Sequence, residues 1–157
     1  MVLFFKARGG CLLKNIQQIF KLFICGSQFK RILNYAKTYK YIEIVGIGLG
    51  TMQENGIYVS HIELCNNISK NPRYEFLIDS TCYYNIYKII RNTEKDIVTI
   101  IHSHTINDVT PSIKDLTNMR LWNIPWLILN IDGEYKAWFL NPDNMLTSIE
   151  TTIIDSC

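Results

Sequence analysis

A surplus of either charge is missing from this chain. Sixteen Lys and Arg stand against 14 Asp and Glu, a formal net charge of +2 over 157 residues. Without a basic surplus there is no electrostatic footprint for nucleic acid or acidic lipid, so neither partner is expected. Paired cysteine motifs are missing too. The five cysteines, Cys11, Cys25, Cys65, Cys82 and Cys157, are odd in number and contain no C-x-x-C. This argues against a disulfide framework and against a cysteine-based zinc site, and it predicts a reducing, cytoplasmic setting. Long apolar runs are absent as well. The N-terminal run Val2–Phe5 stops at Lys6, too short for a secretion signal despite the Gly9-Gly10-Cys11 that follows. No stretch is long enough to span a membrane. With four prolines and no repeat, low-complexity tract or linker, the chain reads as one domain, and 48% hydrophobic residues suffice for a core.

The segment "CLLKNIQQIFKLFICG" places Ile16, Ile19, Phe20 and Phe23 on one stripe, which predicts a short peripheral helix within an N-terminal extension, residues 1–28. The main domain is expected over 29–140. "QFKRILNYAKTYK" has helical period, and "YIEIVGIGLG" then "IYVSHIEL" read as a hairpin whose first strand carries Gly46, Gly48 and Gly50 for close backbone approach. "NNISKNPRY" is loop and "YEFLID" a short strand. Asp79 or Ser80 caps the helix "STCYYNIYKIIRN". "DIVTIIHSH" is a central strand. Thr110 and Pro111 are expected to open the helix "PSIKDLTNMRLW". "PWLILNI", "DG" and "EYKAWFL" form a second hairpin. The tail, 141–157, shows no clear period. This order of elements implies an α+β or α/β fold, a single mixed sheet flanked by helices.

Two of the three histidines lie in "TIIHSHTINDVTPSIKD". Side chains at i and i+2 of a strand share a face, so His102 and His104 project together from the strand end. Asp115 follows on the next helix with Ser112 one turn before it. Two imidazoles and one carboxylate leave a fourth position open, the pattern of a catalytic zinc site. The same donors also suit a non-haem iron triad, although that chemistry has no use for Glu43 or Ser112. Hydrolysis needs a proton carrier as well as a metal, and Glu43 on the glycine-rich strand is the candidate. Ser112 is placed to stabilise a developing oxyanion. Taken alone, S-x-x-D is more often a helix capping box, and His61 reads as an ordinary strand histidine.

"HSH-x7-S-x2-D" resembles the motif of the JAMM, or MPN-plus, metallopeptidases, and "EIVGIGLG" resembles that family's "E-x-C-G-x-x-x-G" strand, with Val45 at the cysteine and Thr105 at a frequent proline. The resemblance implies a JAMM fold of three layers, like that of cytidine deaminases. It implies Zn²⁺ held by His102, His104 and Asp115, with Glu43 as acid/base and Ser112 stabilising the tetrahedral intermediate. The implied reaction is hydrolysis of a peptide or isopeptide bond in a protein or peptide substrate. "NPRYEFLID", "DIVTIIHSH" and "IPWLILNIDGEYKAWF" look most like the N-terminal domain of lambda-like phage tail-tip assembly proteins. That likeness implies a role in phage tail assembly, phage tail proteins as partners, and a host-cytoplasmic or virion-associated location. The cysteine-peptidase domain of those proteins is not expected here, nor the long insertion with which some relatives grip ubiquitin. The alternative function is a catalytically silent JAMM-fold assembly protein.

Overall fold

The computed structural model describes residues 21–155 and Cys157. Seven strands and three helices follow in the order β1 (Lys21–Cys25), α1 (Gly26–Thr38), β2 (Val45–Gln53), β3 (Gly56–Cys65), α2 (Ser80–Asn92), β4 (Asp96–Ser103), α3 (Ile113–Met119), β5 (Trp126–Leu129), β6 (Tyr135–Leu140) and β7 (Leu146–Ile154). The strands close into a barrel in the order β1-β3-β2-β4-β5-β6-β7. The fold is thus mixed α+β as expected, but the sheet is closed rather than open.

Closure comes from the two least legible segments. Residues 21–25, expected to end a peripheral helix, form a strand that pairs in parallel with both β3 and β7. Leu22 and Ile24 are fully buried while Phe23 points outward and stacks on Tyr58, an alternation of period two that a strand satisfies and a helix does not. The other half of the expected helix lies outside the described residues. β7 arises from the tail read as aperiodic, and pairs antiparallel with β6. "YEFLID" forms no strand, only the isolated bridge Asn67↔Ile78.

Phe29, Ile32 and Ala36 on α1 gather side chains from β1, β3, β4, β5, β6 and β7 into one core cluster, so this helix packs its apolar face on the sheet and leaves Lys30, Arg31, Asn34 and Lys37 exposed. β2 admits it through glycine. A Cβ on Gly46 would come within 3.2 Å of Ile32 Cδ1, and one on Gly50 within 1.7 Å of the Tyr58 carbonyl oxygen. The alternate residues of β2 and β4, Val45, Ile47, Leu49 and Ile100, belong to a second cluster with Ile86 of α2 and Met119 of α3. His102, two residues after Ile100, therefore emerges on the α2/α3 side.

The cysteines overturn their expectation. Cys25 is bonded to Cys157, and Cys65 to Cys82. Neither pair is close in sequence, so no local motif announces it, and the inference of a reducing compartment loses its basis. Among the described residues no helix is long and apolar enough to cross a membrane.

Candidate metal centre

β4 and β5 are parallel, and the crossover between them, residues 104–125, contains α3. In such a unit the loop leaving the carboxyl end of the first strand is a natural ligand site, and the histidines stand there. His102 lies opposite Val45 on β2 and Ile128 on β5. It is fully buried, with its ring 4.8 Å from Phe76 and 5.7 Å from Trp126 between centroids. The His104 N–H donates to the Leu129 carbonyl at 2.9 Å. This carries the ladder one residue past β4 and keeps His104 on the face of His102.

α3 begins later than expected. Ser112 caps it, rather than Thr110: Ser112 Oγ accepts from the Asp115 N–H at 3.1 Å, and Asp115 Oδ2 accepts from the Ser112 N–H at 2.7 Å. This capping box satisfies two otherwise orphaned amides, and it turns the Asp115 carboxylate back toward the histidines.

His102 Nε2 and His104 Nε2 lie 3.2 Å apart. Asp115 Oδ1 is 3.3 Å from the first and Oδ2 is 3.3 Å from the second. A tetrahedral ion with bonds of about 2.0–2.1 Å holds its donors about 3.3–3.4 Å apart, so the triangle has the size such an ion requires. The protonation pattern agrees. His104 Nδ1–H donates to the Asp108 carbonyl at 2.7 Å, which in a neutral ring leaves Nε2 as a lone pair facing a carboxylate. A hydrogen on the neighbouring His102 Nε2 or a metal ion would each meet that lone pair. Such support of the far ring nitrogen is also the usual setting of a metal-bound histidine. Among the described residues these three are the group of His, Cys, Asp and Glu able to hold a metal ion.

Burial pushes His102 down, against the pull of Asp115. His104 is also buried, but the Asp115 carboxylate and the Asp108 carbonyl outweigh that and raise it. Burial would raise Asp115, yet hydrogen bonds from His102 and His104 hold it well below the usual carboxylate range.

Glu43 stands between the turn after α1 and the start of β2, not on the strand as expected. It is only 7% exposed. Burial pushes its carboxyl up to about 8, with His104 pulling down and Asp115 and Glu75 pushing up. β2 does lie beside β4, and the pairing reaches one residue ahead of β2 through Ser103, the last residue of β4. The Ser103 N–H donates to the Ile44 carbonyl at 3.0 Å, while Ser103 Oγ accepts from the Ile44 N–H at 3.0 Å. The middle residue of His-Ser-His thus ties the histidine segment to the glutamate segment.

The segment 66–79 walls the site, and sequence reasoning took it as a loop and a short strand with no part in the site. It supplies Phe76 against His102, the Pro72 carbonyl that accepts from the Glu43 N–H at 2.7 Å, and Glu75, which is paired with Lys114 beside Asp115. The Cys65–Cys82 bridge closes this segment at its base. A lone Glu and a lone Phe in a stretch expected to be a short strand carry no signal by type or spacing. His61 is apart from the site, 3.3 Å from Glu63 on β3.

Residues 27–141 match the family described as prokaryotic homologues of the JAB domain. The chain belongs to this family. The JAB domain here is similar to desampylase of Pyrococcus furiosus, with 28% identity over 134 residues, 85% of this chain and 92% of the relative. Its fold is that of the solution structure of protein DSY2949 from Desulfitobacterium hafniense, at a TM-score of 0.73 and 19% identity over 86% of this chain and 94% of the other. The JAMM resemblance therefore holds at the level of the JAB family. The narrower likeness to phage tail-tip proteins rests on the sequence segments alone.

Proposed function

We propose that this JAB domain is a zinc-dependent isopeptidase, hydrolysing the amide bond that joins a modifier to a protein. The observation that carries the reading is the convergence of His102 Nε2, His104 Nε2 and the Asp115 carboxylate at 3.2–3.3 Å, with the other nitrogen of His104 already committed to Asp108. Two imidazoles and a carboxylate are a donor set that suits Zn²⁺ and leaves one position open. The chemistry such an ion supplies when bound is Lewis acidity toward water and a carbonyl oxygen.

The chain's own groups account for the remaining steps. Burial pushes the carboxyl of Glu43 up to about 8 in the metal-free site, beside the groups that would hold the ion. That suits a group that takes a proton from the attacking water and gives it to the departing amine as the C–N bond breaks. Ser112 Oγ accepts from the Asp115 N–H, which leaves its hydroxyl proton to donate to the oxygen that gains charge as the carbonyl carbon becomes tetrahedral. The choice of an isopeptide follows the desampylase relative, whose name denotes removal of a conjugated group. The phage tail setting has no comparable support from either relative, and the proposal stops at a protein conjugate.

The test is zinc stoichiometry together with cleavage of an isopeptide-linked peptide by the parent and by Glu43→Gln. Both proteins should hold one zinc per chain, and only the parent should cleave, with Glu43→Gln slower by on the order of 10²–10⁴-fold. Zinc binding without cleavage by the parent would leave the fold as an assembly scaffold. Cleavage by Glu43→Gln at the parental rate would remove Glu43 from the chemistry.

A further inference from the structure

Asn67 uses all four hydrogen-bonding positions of its carboxamide. Nδ2 donates to the main-chain carbonyl of Glu43 at 2.8 Å and to that of Glu75 at 3.0 Å. Oδ1 accepts from the N–H of Ser69 and from the N–H of Leu77, each at 3.0 Å. Two donors and a doubly accepting oxygen on so short a stem are a combination that Asn alone offers. The accepting half shapes the 66–79 segment into its turn. The donating half reaches out of that segment to the residue proposed to carry the proton.

The grip on Glu43 is two-sided. Its N–H donates to Pro72 at 2.7 Å and its carbonyl accepts from Asn67, both from the 66–79 segment, while the next residue, Ile44, is held by Ser103 of the histidine segment. Glu43 has left the turn after α1 and has not yet entered the β2 ladder, so no regular structure fixes its backbone. A buried carbonyl left without a donor is costly, and the peptide group would turn to find one, swinging the side chain with it. Asn67 also engages Glu75, whose carboxylate accepts from Ser69 Oγ at 2.7 Å and pairs with Lys114 on α3. One carboxamide thereby links the glutamate segment and the wall of the site, which in turn reaches the helix bearing Asp115.

We propose that Asn67 is a positioning residue, holding the Glu43 backbone so that its carboxyl faces the His102–His104–Asp115 cluster. This rests on the reading of Glu43 as the proton carrier. Two variants divide the carboxamide. Asn67→Asp keeps the oxygen that accepts from Ser69 and Leu77 and loses the donor to Glu43, whereas Asn67→Ala loses both. Ser69→Ala is the control, since it loosens the same segment without touching Glu43. Each zinc-loaded full-length protein is assayed on an isopeptide-linked peptide, and amide hydrogen exchange is measured on the same set.

Asn67→Asp and Asn67→Ala should each retain one zinc per chain. Their kcat should fall on the order of 10²-fold, as a misplacement of about 1 Å produces, with KM within about twofold. The Glu43 amide should exchange about tenfold faster or more in both. Ser69→Ala should stay within about twofold of the parent in kcat. Unchanged exchange at Glu43 in Asn67→Asp would overturn the proposal, as would an equal loss of kcat in Ser69→Ala. If the parent cleaves neither peptide nor isopeptide, the enzymatic reading fails on its own, and the exchange measurement still decides whether Asn67 holds Glu43.

Discussion

His102 and His104 turn their Nε2 atoms to within 3.2 Å of each other, and one Asp115 carboxylate spans the pair with an oxygen at 3.3 Å from each ring. Lone pairs brought this close inside a protein repel unless a cation lies among them. His104→Ala removes one corner of the triangle and leaves the buried Asp115 carboxylate with His102 as its one imidazole partner, beside the Ser112 N–H. Zinc measured after dialysis should fall from one per chain to near zero. The affinity loss should exceed the 10–100-fold that removing a merely supporting contact costs. A variant that keeps stoichiometric zinc would show that His104 is not a ligand.

Glu43 gives a stability prediction that is independent of turnover. Between the ordinary glutamate range and about 8, the folded metal-free protein holds a proton on Glu43 that the unfolded chain has released. Folded stability must therefore fall as pH rises through that window. Gln cannot ionise, so Glu43→Gln should match the parent at pH 4.5 and be more stable at pH 8.5. The gain should be about 1–2 kcal/mol, below the limit set by the whole shift because the carboxyl retains some contact with water. Denaturant titrations of both metal-free proteins at the two pH values check it, and an equal difference at both would contradict it.

What the sequence made legible was local. α1, α2 and the two hairpins follow from patterns that span fewer than twenty-five residues, and His102, His104, Ser112 and Asp115 fall within fourteen. What it hid was non-local or ambiguous in period. Phe20 and Phe23 fit a helical stripe as well as Leu22 and Ile24 fit a strand, and only parallel pairing with β3 and β7 decides between them. Thr110-Pro111 and Ser112 offered competing helix starts, and the one whose box closes on Asp115 won. Asn67 is a single amide in a polar loop, and its four partners come together only when the 66–79 segment closes beside Glu43.

The Cys25–Cys157 bridge spans 132 residues and ties the end of β1 to the chain just past β7, across the seam that closes the barrel. A cross-link over so long a loop restricts the unfolded chain strongly. Cys25→Ser should lower the unfolding free energy by about 2–4 kcal/mol. A thiol reductant should cost the parent that amount plus the contribution of Cys65–Cys82, whereas the variant should lose only the latter. Equal stability of parent and variant under oxidising conditions would show that the seam is held by strand pairing alone.

Ser112 carries two roles that one substitution can separate. As a cap, its oxygen accepts from the Asp115 N–H; as a proposed oxyanion donor, its hydroxyl proton must meet the substrate. Alanine abolishes both, at a stability cost of about 1 kcal/mol, and so decides nothing. Glycine is a good N-cap and costs only a few tenths of a kcal/mol there, but it has no hydroxyl. It also keeps the backbone N–H that donates to Asp115 Oδ2 at 2.7 Å, so the carboxylate stays aimed at the histidines. Ser112→Gly should therefore fold and bind zinc as the parent does, while kcat falls on the order of 10²–10³-fold, the loss that removing one oxyanion donor typically brings. Were Ser112→Gly to cleave at the parental rate, the serine would be a cap and nothing more, and charge on the substrate oxygen would have to be met without it.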